Sequence, residues 1–415
     1  MKPCTLLTKA LTVCLLLCAI DSAARPSVLL PKSGLEASEL AVIVNDQDPL
    51  SIKIAVYYQQ RRKIPSENII RVSFKPGQSI MHPGEFAVLQ KVVESKTPER
   101  VQAYALTWAA PYRVGCMSIS SAFALGYDIR HCAKGCKATA VNLYANSRSR
   151  QPFNDFSIRP TMLLAAETIE QAKKLIDRGV IADGSAVTAT GVRGRAYLLE
   201  TADQNRSVRK VLFPTAASRL GKRLPIVIRQ GESISGKHDV MFYFTGATSV
   251  PDIDKNIYLP GAMADHLTSS GGRLTDSRQM SALRWLEAGA TGSYGTVVEP
   301  CNLLSKFPNP VIAIAKYSSG ESLLEAYWKS VQTPGQGVFI GEPLAKPYAG
   351  YRLQQVGESL QLSSPVLTPG HYKVSVADNR NGPFHLLHGD VQVTSVSPSI
   401  TFSPPFRAVY KVERL

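Results

Sequence analysis

A stretch of small and polar residues at 259–272, LPGAMADHLTSSGG, carries His266, Ser269 and Ser270. These are side chains of nucleophilic catalysis. A serine hydroxyl attacks when a base within hydrogen-bond reach takes its proton and a third group orients that base. Ser269 or Ser270 would be the nucleophile, His266 the base and Glu299 the orienting carboxylate. His266 and Ser269 lie three positions apart, which on a continuing strand sets them on opposite faces, so the reading requires a turn after Leu267. The same residues have a structural reading. His266 is then a buried histidine that fixes the loop, and Glu299 caps a turn or pairs with an arginine. Gly246, Gly261, Asp265, Thr291 and Gly295 are the flanking candidates for binding, since glycines in a strand let a ligand or another backbone come close.

Other groupings are weaker. Asp252 and Asp254 are two carboxylates without the further oxygens a calcium site needs. His131, Cys132 and Cys136 have metal-like spacing, but in an exported chain a disulfide is the better reading. There is no Walker loop, GxGxxG or HExxH. No metal or cofactor is expected.

These residues need a scaffold that ends strands side by side. Residues 40–44 form an apolar run of strand length, and Asp48 followed by Pro49 reads as an N-cap with proline at the first helical position. Leu50, Ile54, Tyr57 and Tyr58 lie on one helical face. A strand at 68–74, a helix through Phe86, Leu89 and Val93, and a strand at 101–108 follow. That alternation specifies a mostly parallel sheet with helices on both faces. Residues 110–159, rich in Gly, Ser and Cys, read as a long loop. A helix is expected over 162–176, closed at Arg178-Gly179, then a strand at 195–200, a basic helix at 208–222 and a strand at 225–228. Strands at 239–244, 262–267 and 290–298, with helices at 280–288 and 320–330, complete the body. In open α/β sheets the chemistry sits at the C-terminal ends of such strands. Beyond Pro347 the pattern alternates with period two at 371–376, 391–396 and 406–412, an antiparallel β extension.

The 415 residues suffice for two or three domains. Lys2 and Lys9, the apolar run 10–20 and Ser22-Ala23-Ala24 read as a signal peptide cleaved before Arg25. The chain is expected to be exported, periplasmic or extracellular, with no integral membrane segment once the signal is gone. Cys4, Cys14 and Cys18 leave with the signal. Among Cys116, Cys132 and Cys136 one bridge is expected, most simply Cys132 to Cys136, with Cys301 free. The net charge of +15 is dispersed in short clusters not interleaved with aromatics, so nucleic acid is not the expected partner. A cell-envelope protein or polysaccharide is.

Asn45, Pro49-Leu50-Ser51, Ile64-Pro65, Asn68, Thr107-Trp108, Pro111-Tyr112-Arg113-Val114, Pro260-Gly261-Ala262, His266-Leu267-Thr268-Ser269, Gly289-Ala290-Thr291, Gly295 through Pro300, and Gly341-Glu342-Pro343-Leu344 together carry a resemblance. Across residues 38–348 the chain resembles a family of uncharacterised bacterial exported proteins associated with genomes that carry PEP-CTERM sorting systems. No sorting tail of its own is expected at 406–415. The strand order also resembles, more distantly, the gingipain-type cysteine peptidases of the caspase-like fold. That likeness implies a His-Gly pair after one strand and a nucleophilic Cys after the next. Here Thr245 precedes Gly246, and Ser269 or Ser270 stands near the Cys position. The dyad is missing, which implies a relative without peptidase activity.

The expectation is therefore a signal peptide at 1–24, an N-terminal α/β region with a Cys-containing loop at 25–159, a caspase-like α/β region at 160–348 and a C-terminal β extension at 349–415. The function expected first is binding or assembly in the cell envelope. The alternative is a serine hydrolase built on Ser269 or Ser270 with His266.

Overall fold

The structure, a computed structural model, describes residues 26–133, 136–395 and 398–415. The expected signal segment, with Cys4, Cys14 and Cys18, lies outside the described residues. One ten-stranded sheet organises the body. In chain order its strands are β1 (Leu40–Asn45), β2 (Ile69–Val72), β3 (Ala103–Leu106), β4 (Thr161–Leu163), β5 (Arg195–Glu200), β6 (Ile226–Gln230), β7 (Val240–Gly246), β8 (Tyr258–Leu267), β9 (Gly292–Thr296) and β10 (Gly337–Gly341). Across the sheet they run β6-β5-β7-β8-β9-β10-β4-β3-β1-β2. Only the β9–β10 pair is antiparallel.

Helices cover both faces. α1 (Pro49–Arg62), α5 (Ile169–Ala182), α6 (Phe213–Leu220), α8 (Pro310–Tyr317) and α9 (Leu323–Ser330) bury their apolar residues in one core. α2 (Pro83–Lys96), α3 (Ile119–Leu125) and α7 (Leu283–Ala288) pack on the other face, and the short α4 (Pro152–Phe156) lies between α3 and β4 in the chain. Strands covered on both sides read as unbroken apolar runs, and β1 and β7 are buried along their whole length. Asp48 caps α1 as expected, accepting from the Leu50 N–H at 2.9 Å.

The helix expected over 162–176 differs at both ends. Residues 161–163 are strand β4, and the helix begins only at Ile169. Thr168 and Gln171 close a reciprocal capping box there. The helix also runs through Gly179, because that glycine serves packing: a Cβ would overlap the Glu342 side chain. Glu342 is wholly buried, paired with Arg62 and accepting from the Tyr58 hydroxyl at 2.6 Å, while the Gly179 carbonyl accepts from Arg62 at 2.8 Å.

The segment 110–159 is more ordered than a loop. It holds α3, α4 and a small hairpin, and the Ser118 and Ser121 hydroxyls donate to the carbonyls of Gly337 and Pro334. Its cysteines correct the expected pairing. Cys116 bonds to Cys132 and Cys136 bonds to Cys301, with Cα separations of 5.4 and 5.3 Å. Cys116 sits at the tip of the hairpin Arg113–Val114/Met117–Ser118, and Met117 Sδ accepts from the Asp128 N–H at 3.3 Å, which brings the hairpin against the loop that ends in Cys132. Cys136 is thereby left for Cys301.

The C-terminal part is antiparallel β, as expected. It also contains a hairpin, Arg352–Val356 with Ser359–Ser363, that the alternation did not reveal. The strand Ser27–Leu29 joins it, pairing in parallel with Val409–Arg414.

Candidate functional site

The C-terminal ends of β7, β8 and β9 lie side by side. Gly246 is in register with Leu267, and Met263 with Gly292. β7 ends on a close approach: a Cβ on Gly246 would overlap the Arg206 carbonyl oxygen. On β9, a Cβ on Gly295 would overlap the Gly271-Gly272 backbone. Both glycines are thus explained by neighbouring backbone. The Thr296 hydroxyl donates to the carbonyls of Thr268 and Ser269 at 2.9 and 3.1 Å, tying the end of β9 to the loop after β8.

Beyond these ends lies an open cavity of about 370 Å³. Arg206, Thr268, Ser269, Glu299, Asn302 and the Cys136–Cys301 disulfide are among its walls. Arg206 donates to Asp203 at 2.8 Å and to the Thr268 hydroxyl at 3.2 Å. One Glu299 carboxylate oxygen accepts from the Cys301 N–H at 2.8 Å. That contact and the disulfide hold Cys301 at φ 52°, a conformation uncommon outside glycine. Ser269 and Glu299 thus meet at one cavity.

The other expected residues are placed elsewhere. His266 is buried on the face toward α7. Its Nδ1 accepts from the Trp285 indole N–H at 2.9 Å, and its Nε2 donates to the Met280 carbonyl at 3.1 Å. Burial, with smaller contributions from Arg209 and Arg206, pushes its pKa down to about 3. The ring is neutral, and both nitrogens are committed to structural partners. Ser270 donates to Gln279 at 2.9 Å, and the same Gln279 oxygen accepts from the Thr268 hydroxyl and the Ser270 N–H, each at 2.8 Å. Asp265 faces the opposite side from His266, with its carboxylate 2.6 Å from the buried guanidinium of Arg209. Burial pushes Asp265 up to about 6 against the opposing pull of Arg209. Gly261 is at the other end of β8, where its N–H donates to the Thr291 hydroxyl at 2.9 Å and its φ of 90° suits a residue without Cβ.

Arg206, Arg209, Trp285, Gln279 and Lys306 were not singled out from the sequence. The cluster 206–210 reads as dispersed surface charge. In the structure Ser207–Leu212 is a 3₁₀ helix with Arg206 as its N-cap, and a basic pair three apart in the segment after a strand was the available signal. Lys306 is wholly buried and its ammonium has no hydrogen-bond partner. Burial lowers its pKa, and the Glu299 charge opposes that. An unpaired buried cation costs stability, so Lys306→Met is expected to raise the unfolding free energy by about 1–3 kcal/mol. Thermal unfolding of the two proteins measures it, and an unchanged or lower midpoint would contradict it.

Among the described residues no cluster of three or more His, Cys, Asp or Glu is arranged to hold a metal ion. Nor is any helix there long and apolar enough to cross a membrane.

No family model and no curated protein matches the chain. Two solved structures are similar to it. One is described as the structure of a protease, 10% identical, with 91% of this chain and 97% of that one covered and a TM-score of 0.41. The other is the complex of the pro- and mature domains of Porphyromonas gingivalis RgpB, 9% identical, with 91% and 100% covered and a TM-score of 0.43. The likeness is one of overall layout.

Proposed function

We propose that this chain is an exported, non-peptidase protein that binds a cell-envelope component, protein or polysaccharide, in the cavity at the ends of β7, β8 and β9. The observation that carries the reading is the state of His266. A general base needs a free lone pair directed at the nucleophile. The Nδ1 lone pair of His266 is taken by Trp285, its Nε2–H is given to Met280, and the ring stays neutral in the folded protein down to pH 3 or so. What the cavity offers instead is recognition: a cation at Arg206, a carboxylate at Glu299 and hydroxyl and amide groups at Ser269 and Asn302. The disulfides favour the exported setting, since such bonds persist in oxidising compartments. The sequence resemblance to exported proteins of PEP-CTERM-bearing genomes points the same way.

The serine-hydrolase reading rests on Ser269 lining that cavity. It would need His266 to break from Trp285 and rotate. A fluorophosphonate probe separates the two. The folded protein is expected to remain unlabelled, while Arg206→Ala and Glu299→Ala, each still unfolding cooperatively, weaken binding to purified envelope fractions about tenfold or more. Labelling that disappears in both Ser269→Ala and His266→Ala would replace the binding reading with the hydrolase.

A further inference from the structure

A second cavity, of about 610 Å³, lies at the seam between the α/β body and the C-terminal β part. That volume is typical of small-molecule sites, which span about 300–1,000 Å³. From the body come the hairpin Val187–Thr188/Gly191–Val192, the segment after α6 and Tyr348. From the C-terminal part come Arg352 and the segment 363–369.

Three observations bear on its use. Lys222, Arg223 and Arg352 all line it, and no acidic residue does among the described residues. None of these three cations forms an ion pair with a described residue. Arg352 makes one hydrogen bond, to the Ala189 carbonyl at 3.3 Å. Tyr348, a wall residue, is 1% exposed, and its hydroxyl is buried with no hydrogen-bond partner. Its ring is fixed by stacking on Phe242 and an edge contact with Tyr317, at centroid distances of 6.4 and 5.9 Å. A buried hydroxyl normally finds a partner, and leaving one unpaired costs about 1–3 kcal/mol. The remaining wall mixes hydroxyls, such as Ser363 and Thr368, with the apolar side chains of Val192 and Leu367.

We infer that this seam binds an anionic sugar, a unit with a carboxylate or phosphate, several hydroxyls and an apolar ring face. Lys222, Arg223 and Arg352 take the anion, the apolar wall takes the ring face, and hydroxyls of the wall pair with those of the sugar. The site is separate from the sheet-end cavity, and its test does not involve that cavity.

The experiment is calorimetric titration of the full protein with glucuronate, glucose 6-phosphate, inorganic phosphate and glucose. Glucuronate or glucose 6-phosphate is expected to bind, the better of the two showing which anion is recognised. Inorganic phosphate should bind about tenfold more weakly or worse, and glucose should not bind. The Lys222→Ala/Arg223→Ala double variant should weaken the sugar anion about tenfold or more, with affinity falling as salt is added. Tyr348→Phe is the control: it removes an unpaired buried hydroxyl, so the melting temperature should hold or rise while affinity is unchanged. No binding of either sugar anion at about 10 mM would overturn the inference. So would binding that the double variant leaves unchanged, or phosphate binding as well as glucose 6-phosphate.

Discussion

Replacing Cys136 and Cys301 with serine is expected to lower the unfolding free energy by about 3–5 kcal/mol and to abolish ligand binding at the sheet-end cavity. The two cysteines are 165 residues apart, so the bond removes much of the freedom of the unfolded chain. The Cys116–Cys132 bond spans 16 residues, and the same chain-entropy argument gives it about 3 kcal/mol. Function separates the two more sharply than stability. Cys136 and Cys301 are themselves cavity walls, and their bond is one of two restraints that hold Cys301 at positive φ beside Glu299. Without it the Glu299 carboxylate must hold the turn alone, at an exposed position where water competes for its oxygens. Denaturant unfolding of both double-serine proteins, beside binding to envelope fractions, tests this. The 136/301 variant should lose more stability and lose binding, whereas the 116/132 variant should retain binding. Equal retention of binding in both would remove the disulfide from the site.

How far the sequence reaches is visible in particular residues. β1 and β7 were legible because a strand covered on both faces must be apolar throughout, and α1 because Asp48 and Pro49 begin a helix by local chemistry. The apolar run 162–166 was not, since a short buried strand and a helix start share that composition. The capping box of Thr168 and Gln171 was the local sign that the helix starts later. Gly179 looks like a helix end, and only the approach of Glu342, from 163 positions away in the chain, shows why it is interior. The same holds for the disulfides, because proximity in sequence favours Cys132 with Cys136 while the folded hairpin carries Cys116 to Cys132. At the site, strands that end side by side are what the α/β pattern leads one to expect. The partner of His266 is not. Trp285 is 19 residues on, in a helix on the far side of a loop, and no spacing rule joins an indole N–H to an imidazole.

That same contact makes acid stability the most direct test of His266. A base whose folded pKa is depressed, here to about 3 from 6.5, leaves the native state with fewer bound protons than the unfolded chain between those values. Its contribution is fully present above pH 6.5 and is lost as the pH falls toward 3, by something of the order of 4 kcal/mol. Asp265, next in the chain but on the opposite face, works in the other direction. Its folded pKa is raised, from 3.8 to about 6, so its contribution is present at low pH and lost as the pH rises through 6, by something of the order of 3 kcal/mol. Between about pH 6 and pH 4 the two slopes largely offset each other. Below that range Asp265 is protonated in both states and only the loss from His266 continues. His266→Gln and Asp265→Asn separate them when unfolding free energy is measured from pH 7 to pH 3. The stability advantage of the parent over His266→Gln should shrink by about 1.4 kcal/mol per pH unit below 6.5. Asp265→Asn should instead lose stability more steeply than the parent between pH 6 and pH 4, because the opposing contribution of Asp265 is gone. A parent advantage over His266→Gln that stays constant from pH 7 to pH 3 would mean that the imidazole is protonated in the fold as readily as in the unfolded chain. Burial among Trp285 and Met280 would then not keep the ring from being protonated, and His266 would return as a candidate base for Ser269.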